Sequence, residues 1–421
     1  MRKKIIAGWL ILACLFSRAL AEGVNVRIVS SFSGSDQAAG AYVDILHAYE
    51  EATGNTVSDS SSPSDETWKA SVLNDFAAGN EPDVLFFFAA GADSAPLLSR
   101  VVPISEINAA YPDLSLPENP VLREADGLIY AVPVRSYWEA MYVNTDLFEK
   151  FGLDLPSDWD SFSRAVSRFR QEGIVPVSVS LTDIPHYLAE FAILACATPE
   201  EQQARPRSLE EVPASWFDAM RLIREMNQMG AFSDDVNSTS ESASTRRFLS
   251  KQAAMQFDGS WLAASLPQES MDTTRVQTMP LRWGEGASEG YIGGVSMGFY
   301  LTRKAWNSPR RDAAVALLAT LTSAENMHRL SNRELTGQLL SSEDTLERSG
   351  LMLSPLQDDM NKEAREVWLL ECIPALAEGT MTAEECWARV MSLSPDGNHR
   401  FSGFHEEDGS CIKWFWWMTS V

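Results

Sequence analysis

Cysteine and histidine are both scarce, at five each in 421 residues. No Cys-x-x-Cys occurs, so neither a disulfide framework nor a thiolate zinc module defines the fold. The run His405 to Gly409, "HEEDG", puts glycine where a His-Glu-x-x-His zinc motif needs its second histidine. Positive charge is also thin. Lysine and arginine number 34 against 58 aspartates and glutamates, a formal charge of −24. That balance removes the electrostatic footing for nucleic acid. It favours solubility and disfavours anionic membranes, but it names no ligand. No Gly-x-x-x-x-Gly-Lys-Ser/Thr loop is present to cradle a nucleotide phosphate. The one strongly apolar run, Ile5 to Phe16, is too short to span a bilayer.

What is present describes a globular chain. Hydrophobic residues make up 45% and charged residues 22%, and the length suits two domains or one large one. The first residues form a targeting segment: a basic start at Arg2, Lys3 and Lys4, the apolar run, then Ala19 and Ala21 as the small residues of a cleavage site. Export with cleavage after Ala21 is expected. A second reading makes "ILAC" a lipoprotein signal with Cys14 as the lipidated residue, although Leu12 fits that motif poorly. Four cysteines then remain, Cys196, Cys372, Cys386 and Cys411. An oxidising compartment would allow them three pairings, with Cys372 and Cys386 nearest in sequence.

Along the chain, strand-like and helix-like patterns alternate. "VNVRIVSSF" alternates as a strand and "AAGAYVDILHAYEEATG" has helical spacing with a glycine stop at Gly54. "DVLFFF", "LIYAVPV", "AMYVN", "VPVSVSL", "AAMQF" and "VSMGFYLT" read as further strands. Continuous apolar strands alternating with helices indicate parallel sheets covered on both faces, an α/β fold. Arg311 to Thr322 and Lys362 to Leu376 read as helices. The end after Leu393 has no periodicity and closes in the aromatic cluster Trp414 to Trp417.

Several of these segments, in this order, resemble the carbohydrate-binding extracellular solute-binding proteins of ABC importers. "AAGNEPDVLFF" is similar to that family's Pro-Asp strand segment, and the block Gly127 to Val179 resembles its central region nearly throughout. "SKQAAMQFDGSWLAASL", "GGVSMGFYLTRKAWNSPRRDAAVALLATLTSAE" and "ALAEGTMTAEECWARV" match later family segments. The likeness runs from Val24 to Met391. It departs at Lys251-Gln252, where the family usually has Gly-Lys, and in the tail. The resemblance implies a periplasmic-binding-protein-like fold: two α/β lobes joined by three crossings, with a ligand cleft between them. The crossings would fall near Val132 to Ser136, Thr278 to Trp283 and Leu330 to Gly337. Lobe one would be residues 22–133 with 283–332, lobe two 134–282 with 333–392, following a signal peptide at 1–21 and preceding a tail at 393–421. It further implies a carbohydrate ligand, an oligosaccharide above all, and membrane permease subunits of an ABC importer as partners. A monomer is expected, with no cofactor, no metal and no nucleic acid.

Sugars present flat C–H faces beside hydroxyl edges, so aromatic rings and polar side chains together make a sugar site. Trp261, behind Asp258-Gly259-Ser260 at a strand-to-helix break, is the first candidate, since the family's tryptophan at this place stacks on a sugar ring. With 13 tryptophans in the chain, core packing is its alternative. Asp258 would bind hydroxyls or cap the next helix. Arg135, Tyr137 and Trp138 lie at the first crossing, with hinge packing and an ion pair to Glu139 as the plain alternative. Loops following parallel strands nominate Ser33, Ser35, Ala90 to Asp93, Asp183, His186 and Tyr187. Asp93 would accept hydroxyl donors or cap "SAPLLSR". Gly293 and Gly294 allow close backbone approach or a tight turn.

Other functions leave weaker marks. "GVSMG" (Gly294 to Gly298) matches the Gly-x-Ser-x-Gly nucleophile pattern, yet the strand-like "FYLTR" follows Ser296 where the elbow needs a helix. A secreted carbohydrate-active hydrolase would need two facing carboxylates, and 58 acids single out no pair. A binding protein for a polyol or glycerol phosphate is the nearer alternative. No catalytic residue is assigned.

Overall fold

The structure, a computed structural model, describes residues 23–34, 36–89, 94–277, 291–331, 352–353 and 355–393. The targeting segment, Cys14, Cys411 and the aromatic tail therefore lie outside the described residues. The chain divides into two units, Met1–Arg135 with Met297–Ser331, and Ser136–Ser296 with Asn332–Val421.

In the first unit, β1 (Asn25–Val29) lies between β2 (Thr56–Asp59) and β3 (Val84–Phe88), all parallel. The end of a later strand, β8 (Tyr291–Leu301), runs antiparallel to β3, with Phe86 opposite Phe299. Crossover helices Ala39–Thr53 and Glu66–Ala78 link the parallel strands. The first closes on Gly54 in the left-handed region, and Asp65 caps the second by accepting from the Trp68 N–H. Because helices cover both faces, four of the five residues of β3 are buried. The Phe32 ring stacks on Phe86 and Tyr42 at 4.5 and 5.0 Å, and Phe86 meets Phe299 at 4.8 Å. These rings fix the core beneath β1.

In the second unit, β4 (Val132–Asn144) pairs antiparallel with β6 (Ala253–Gly259) and with β7 (Thr274–Gln277), while β5 (Val175–Ser178) runs parallel to β6. Asp158 and Ser161 form a capping box for the amphipathic helix Trp159–Gln171. Helix His186–Cys196 is buried nearly all round and therefore runs through the core. Both units thus carry mixed sheets rather than the purely parallel ones expected. An apolar run signals burial on both faces; it does not encode strand direction.

Two expected strands, "LIYAVPV" and "AMYVN", are joined: β4 is one 13-residue strand that begins in the first unit and ends in the second. The second crossing expected near 278–283 lies outside the described residues. Within β8 the two units divide between Ser296 and Met297. The reason is that β8 serves both units, pairing with β9 (Met352–Leu353) at Tyr291 and with β3 from Met297 onward. The expected helix Lys362 to Leu376 is interrupted. Helix Lys362–Val367 widens into a π-turn at Trp368–Cys372 before helix Ile373–Glu378. Pro374 has no N–H and its ring crowds the preceding turn, which loosens the ladder there. Lys251 stands at φ 59, the left-handed region where the family's glycine would be unstrained. Its ammonium is held by Asp146 and by Thr273 Oγ1 at 3.1 Å.

Candidate functional site

Strand β6 is buried along its whole length and hands over at Gly259 to a short 3-10 helix, Ser260–Ser265. Trp261 is the second residue of that helix and is 43% exposed, unusual for so large a ring. The indole lies against the Gly259 backbone, where a β-carbon would overlap ring atoms. Glycine is needed here for space, not for an unusual φ. The Tyr142 hydroxyl donates to the Gly259 carbonyl at 2.8 Å and so fixes the start of the turn.

Two further rings meet Trp261 from separate elements. Tyr137 comes from β4, with centroids 6.1 Å apart and planes at 30°. Tyr187 comes from the first turn of helix His186–Cys196, at 6.0 Å and 41°. His186 packs edge-on against Tyr187 at 4.2 Å. Burial, helped by the positive charge of Arg365, pulls the His186 pKa down to about 4, so the ring is neutral at pH 7. Across the group, a β-carbon on Gly294 would sit 3.8 Å from the Tyr137 ring. Three aromatic side chains and one bare backbone position therefore gather in the second unit.

Buried carboxyl groups lie near enough to act on the Tyr187 phenol. Asp258 is only 2% exposed; its carboxylate accepts from the Gly259 N–H at 2.7 Å and from Gln256 Nε2 at 2.6 Å. Burial pushes its pKa up to about 7. It caps no helix: the cap position belongs to Gly259 and receives no side-chain bond, which corrects that expectation. Glu139, opposite Gly259 in the sheet, is 3% exposed and lies against Glu190 of helix His186–Cys196. Burial raises its pKa to about 7. Burial, and then the charges of Glu139, Asp258, Glu241 and Glu190, hold the Tyr187 phenol well above its ordinary range. Glu139 Oε2 and Ser260 Oγ are buried with no hydrogen-bond partner among the described residues.

The remaining candidates fall elsewhere. Arg135 makes a two-pronged ion pair with Asp36 at 2.7 and 2.9 Å, donates to the Leu330 carbonyl at 3.1 Å, and lies 4.6 Å from the Phe32 ring centre. Its fork is occupied within the first unit, and its partner is Asp36, not Glu139. Trp138 is core: it stacks on Tyr142 at 5.9 Å and packs with Phe248 and Leu262. Adjacent strand residues face opposite ways, so Tyr137 and Trp138 could not share one face. Ser33 forms a turn, its N–H bonding the Ser31 carbonyl and its carbonyl accepting from Asp36. Asp183 accepts from the Glu241 N–H at 2.8 Å. Gly293 and Gly294 lie inside β8 rather than in a turn. Ser296 lies there too, and the strand runs on to Leu301, so no strand-to-helix nucleophile elbow forms. Ser35 and Ala90 to Asp93 are outside the described residues.

Sequence reasoning took Glu139 only as an ion-pair partner for Arg135 and overlooked Glu190. The signal was available: each is a lone acid on an otherwise apolar face, one in "YWEAMYV" and one in "HYLAEFAIL". An ionisable group in such a place is paired or neutral.

This architecture, α/β units that share strands, is that of periplasmic-binding-protein-like chains. Residues 32–328 match the family of bacterial extracellular solute-binding proteins, and the chain belongs to that family. Solved structures agree on the fold. A chitin oligosaccharide binding protein is 18% identical with a TM-score of 0.72, over 89% of this chain and 99% of its own. A maltose-bound MalE3 from T. maritima is 16% identical with a TM-score of 0.66, over 88% and 99%. A sugar transporter protein from Bacillus licheniformis, in complex with stachyose, is 14% identical with a TM-score of 0.62, over 89% and 100%. No curated protein matches the sequence significantly. Among the described residues no helix is long and apolar enough to cross a membrane.

Proposed function

We propose that this protein captures a carbohydrate, an oligosaccharide, and delivers it to the permease of an ABC importer. The observation that carries the reading is the half-exposed Trp261 ring flanked by Tyr137 and Tyr187, with buried carboxyls and an unpartnered serine hydroxyl beside it. A sugar ring offers a flat C–H face to such rings and hydroxyl donors to such oxygens. The sugar-binding names of its structural relatives support the same ligand class.

The role is binding without turnover, by an exported monomer whose first residues, ending at Ala21, direct it across the membrane. Calorimetry against a panel of mono- and oligosaccharides tests this. Binding at micromolar affinity or tighter, with the sugar recovered intact, is expected; no binder across the panel, or hydrolysis of a bound glycan, overturns it.

A further inference from the structure

The second unit carries a feature outside the ring cluster. Its C-terminal end doubles back on itself: the π-turn Trp368–Cys372 and helix Ile373–Glu378 lead through Gly379, in the left-handed region, into helix Ala383–Ser392. Two cross-contacts set how the outgoing and returning segments align. Trp368 stacks on Trp387 with ring centres 5.8 Å apart, and Arg389 pairs with Glu371. Cys372 neighbours Glu371 on one segment, and Cys386 neighbours Trp387 on the other. The contacts that flank the two cysteines therefore bring them face to face. Both are fully buried, in the same core as Trp216, Trp368 and Trp387.

The two thiols are neighbours in that core, and each bears on the other: Cys372 ionises more easily, while its partner and burial push the Cys386 thiol far up. One sulfur is thereby prepared as a nucleophile, with the other at hand to resolve. Cys196 differs. It ends helix His186–Cys196 half-buried, and burial together with Asp218 and Glu225 raises its pKa to about 12, so it stays a thiol.

We propose that Cys372 and Cys386 are joined by a disulfide in the exported protein, fastening the C-terminal helical hairpin of the second unit. Both stand as thiols in this structure. The Cys372 thiolate attacks a sulfur of an exchangeable protein disulfide in the oxidising compartment, forming a mixed disulfide and releasing one thiolate. The Cys386 sulfur, having lost its proton, then attacks the Cys372 sulfur, closes the new bond and expels the second thiolate. Two electrons and two protons pass from the cysteine pair to the partner, which ends as a dithiol. Both sulfurs are buried in the folded unit, so exchange precedes docking of helix Ala383–Ser392 onto Trp216 and Trp368. Once docked, the bond is shielded from reductant. The segment it encloses is local, so its effect is to keep one hairpin from fraying rather than to tie distant parts of the chain together.

The test uses the full chain exported to an oxidising compartment, unfolded in alkylating reagent without reductant, then digested for mass spectrometry. A linked peptide pair joining Cys372 to Cys386 is expected, with Cys196 alkylated as the internal reference. Cys372→Ala should convert Cys386 into a newly alkylated thiol. On the folded wild type, mild reductant should leave the bond intact, and reduction under denaturant followed by refolding should lower Tm by roughly 5 °C. Full alkylation of both residues without reductant, or pairing of either with Cys196 or Cys411, overturns the proposal. The wild-type digest decides between these outcomes even where the variant fails to fold.

Discussion

The Trp261 indole rests on the backbone of Gly259, two residues before it, in space that a β-carbon at Gly259 would fill. The ring's place beside Tyr137 and Tyr187 thus depends on a residue with no side chain. Gly259→Ala should swing the ring off the site while leaving β6 intact, because the displaced group is an exposed side chain. Calorimetry should show weaker sugar binding with Tm within a few degrees of wild type; unchanged affinity would detach the ring's position from binding.

Trp261→Ala removes the platform itself. Affinity should fall by about 1–3 kcal/mol if the ring stacks in a desolvated site. Stability should change little, since the ring is 43% exposed. A large loss of Tm with intact binding would mean that Trp261 serves the fold instead.

Trp138→Ala should behave in the opposite way. Its ring is packed with Tyr142, Phe248 and Leu262, so its loss should reduce stability by about 3–5 kcal/mol. Denaturant titration reads that loss. The folded fraction should retain sugar affinity close to wild type, a separation that two adjacent tryptophan and tyrosine positions on one strand make measurable.

Arg135 and Asp36 form a two-pronged pair with little exposure of either side chain. Removing one partner strands a charge, so Arg135→Ala should destabilise the protein by about 2 kcal/mol or more. Asp36→Asn should do likewise, and the double variant should lose less than the sum of the two. Additive losses would show that the pair is not coupled.

Glu139 makes stability depend on pH. Its folded pKa, about 7, lies above the ordinary carboxyl value of 4.5. Between those values the folded state holds a proton that the unfolded chain has released, so this contribution is present at low pH and is lost as pH rises from 4.5 to about 7. Asp258 acts in the same direction, with a pKa also raised to about 7. Glu139→Gln keeps a neutral donor at all pH values. Its Tm relative to wild type should therefore rise from pH 5 to pH 8, and parallel Tm curves would contradict the raised Glu139 pKa.

Much of this was legible from residue pattern. Continuous apolar strands between helical periods announced covered sheets, and "MQFDGSW" announced an aromatic at a strand end. Helix starts at Asp65 and Asp158 follow from local capping chemistry, which a few neighbouring residues settle among themselves. Strand direction was not legible, because a fully buried strand looks the same whichever way its neighbour runs. The division within β8 was not legible for a related reason: one strand whose two ends pair in different units carries no break in its pattern.

The site shows the same division at the level of single residues. Sequence alone determined that Met141 and Val143 share one face of the strand "AMYVN" and Ala140, Tyr142 and Asn144 the other, since alternation is a property of the extended backbone, whereas the continuation of that strand back through Glu139, Trp138 and Tyr137 came from the structure. It also determined that Trp261 follows a residue small enough to lie under it. Only the tertiary structure decided which face meets the site. The pairing of Glu139 with Gly259 and the packing of helix His186–Cys196 brought Tyr137, Tyr187 and Trp261 together, and placed Glu190 against Glu139. Register and helix docking are set by contacts between residues far apart in the chain, and a linear pattern does not contain those contacts.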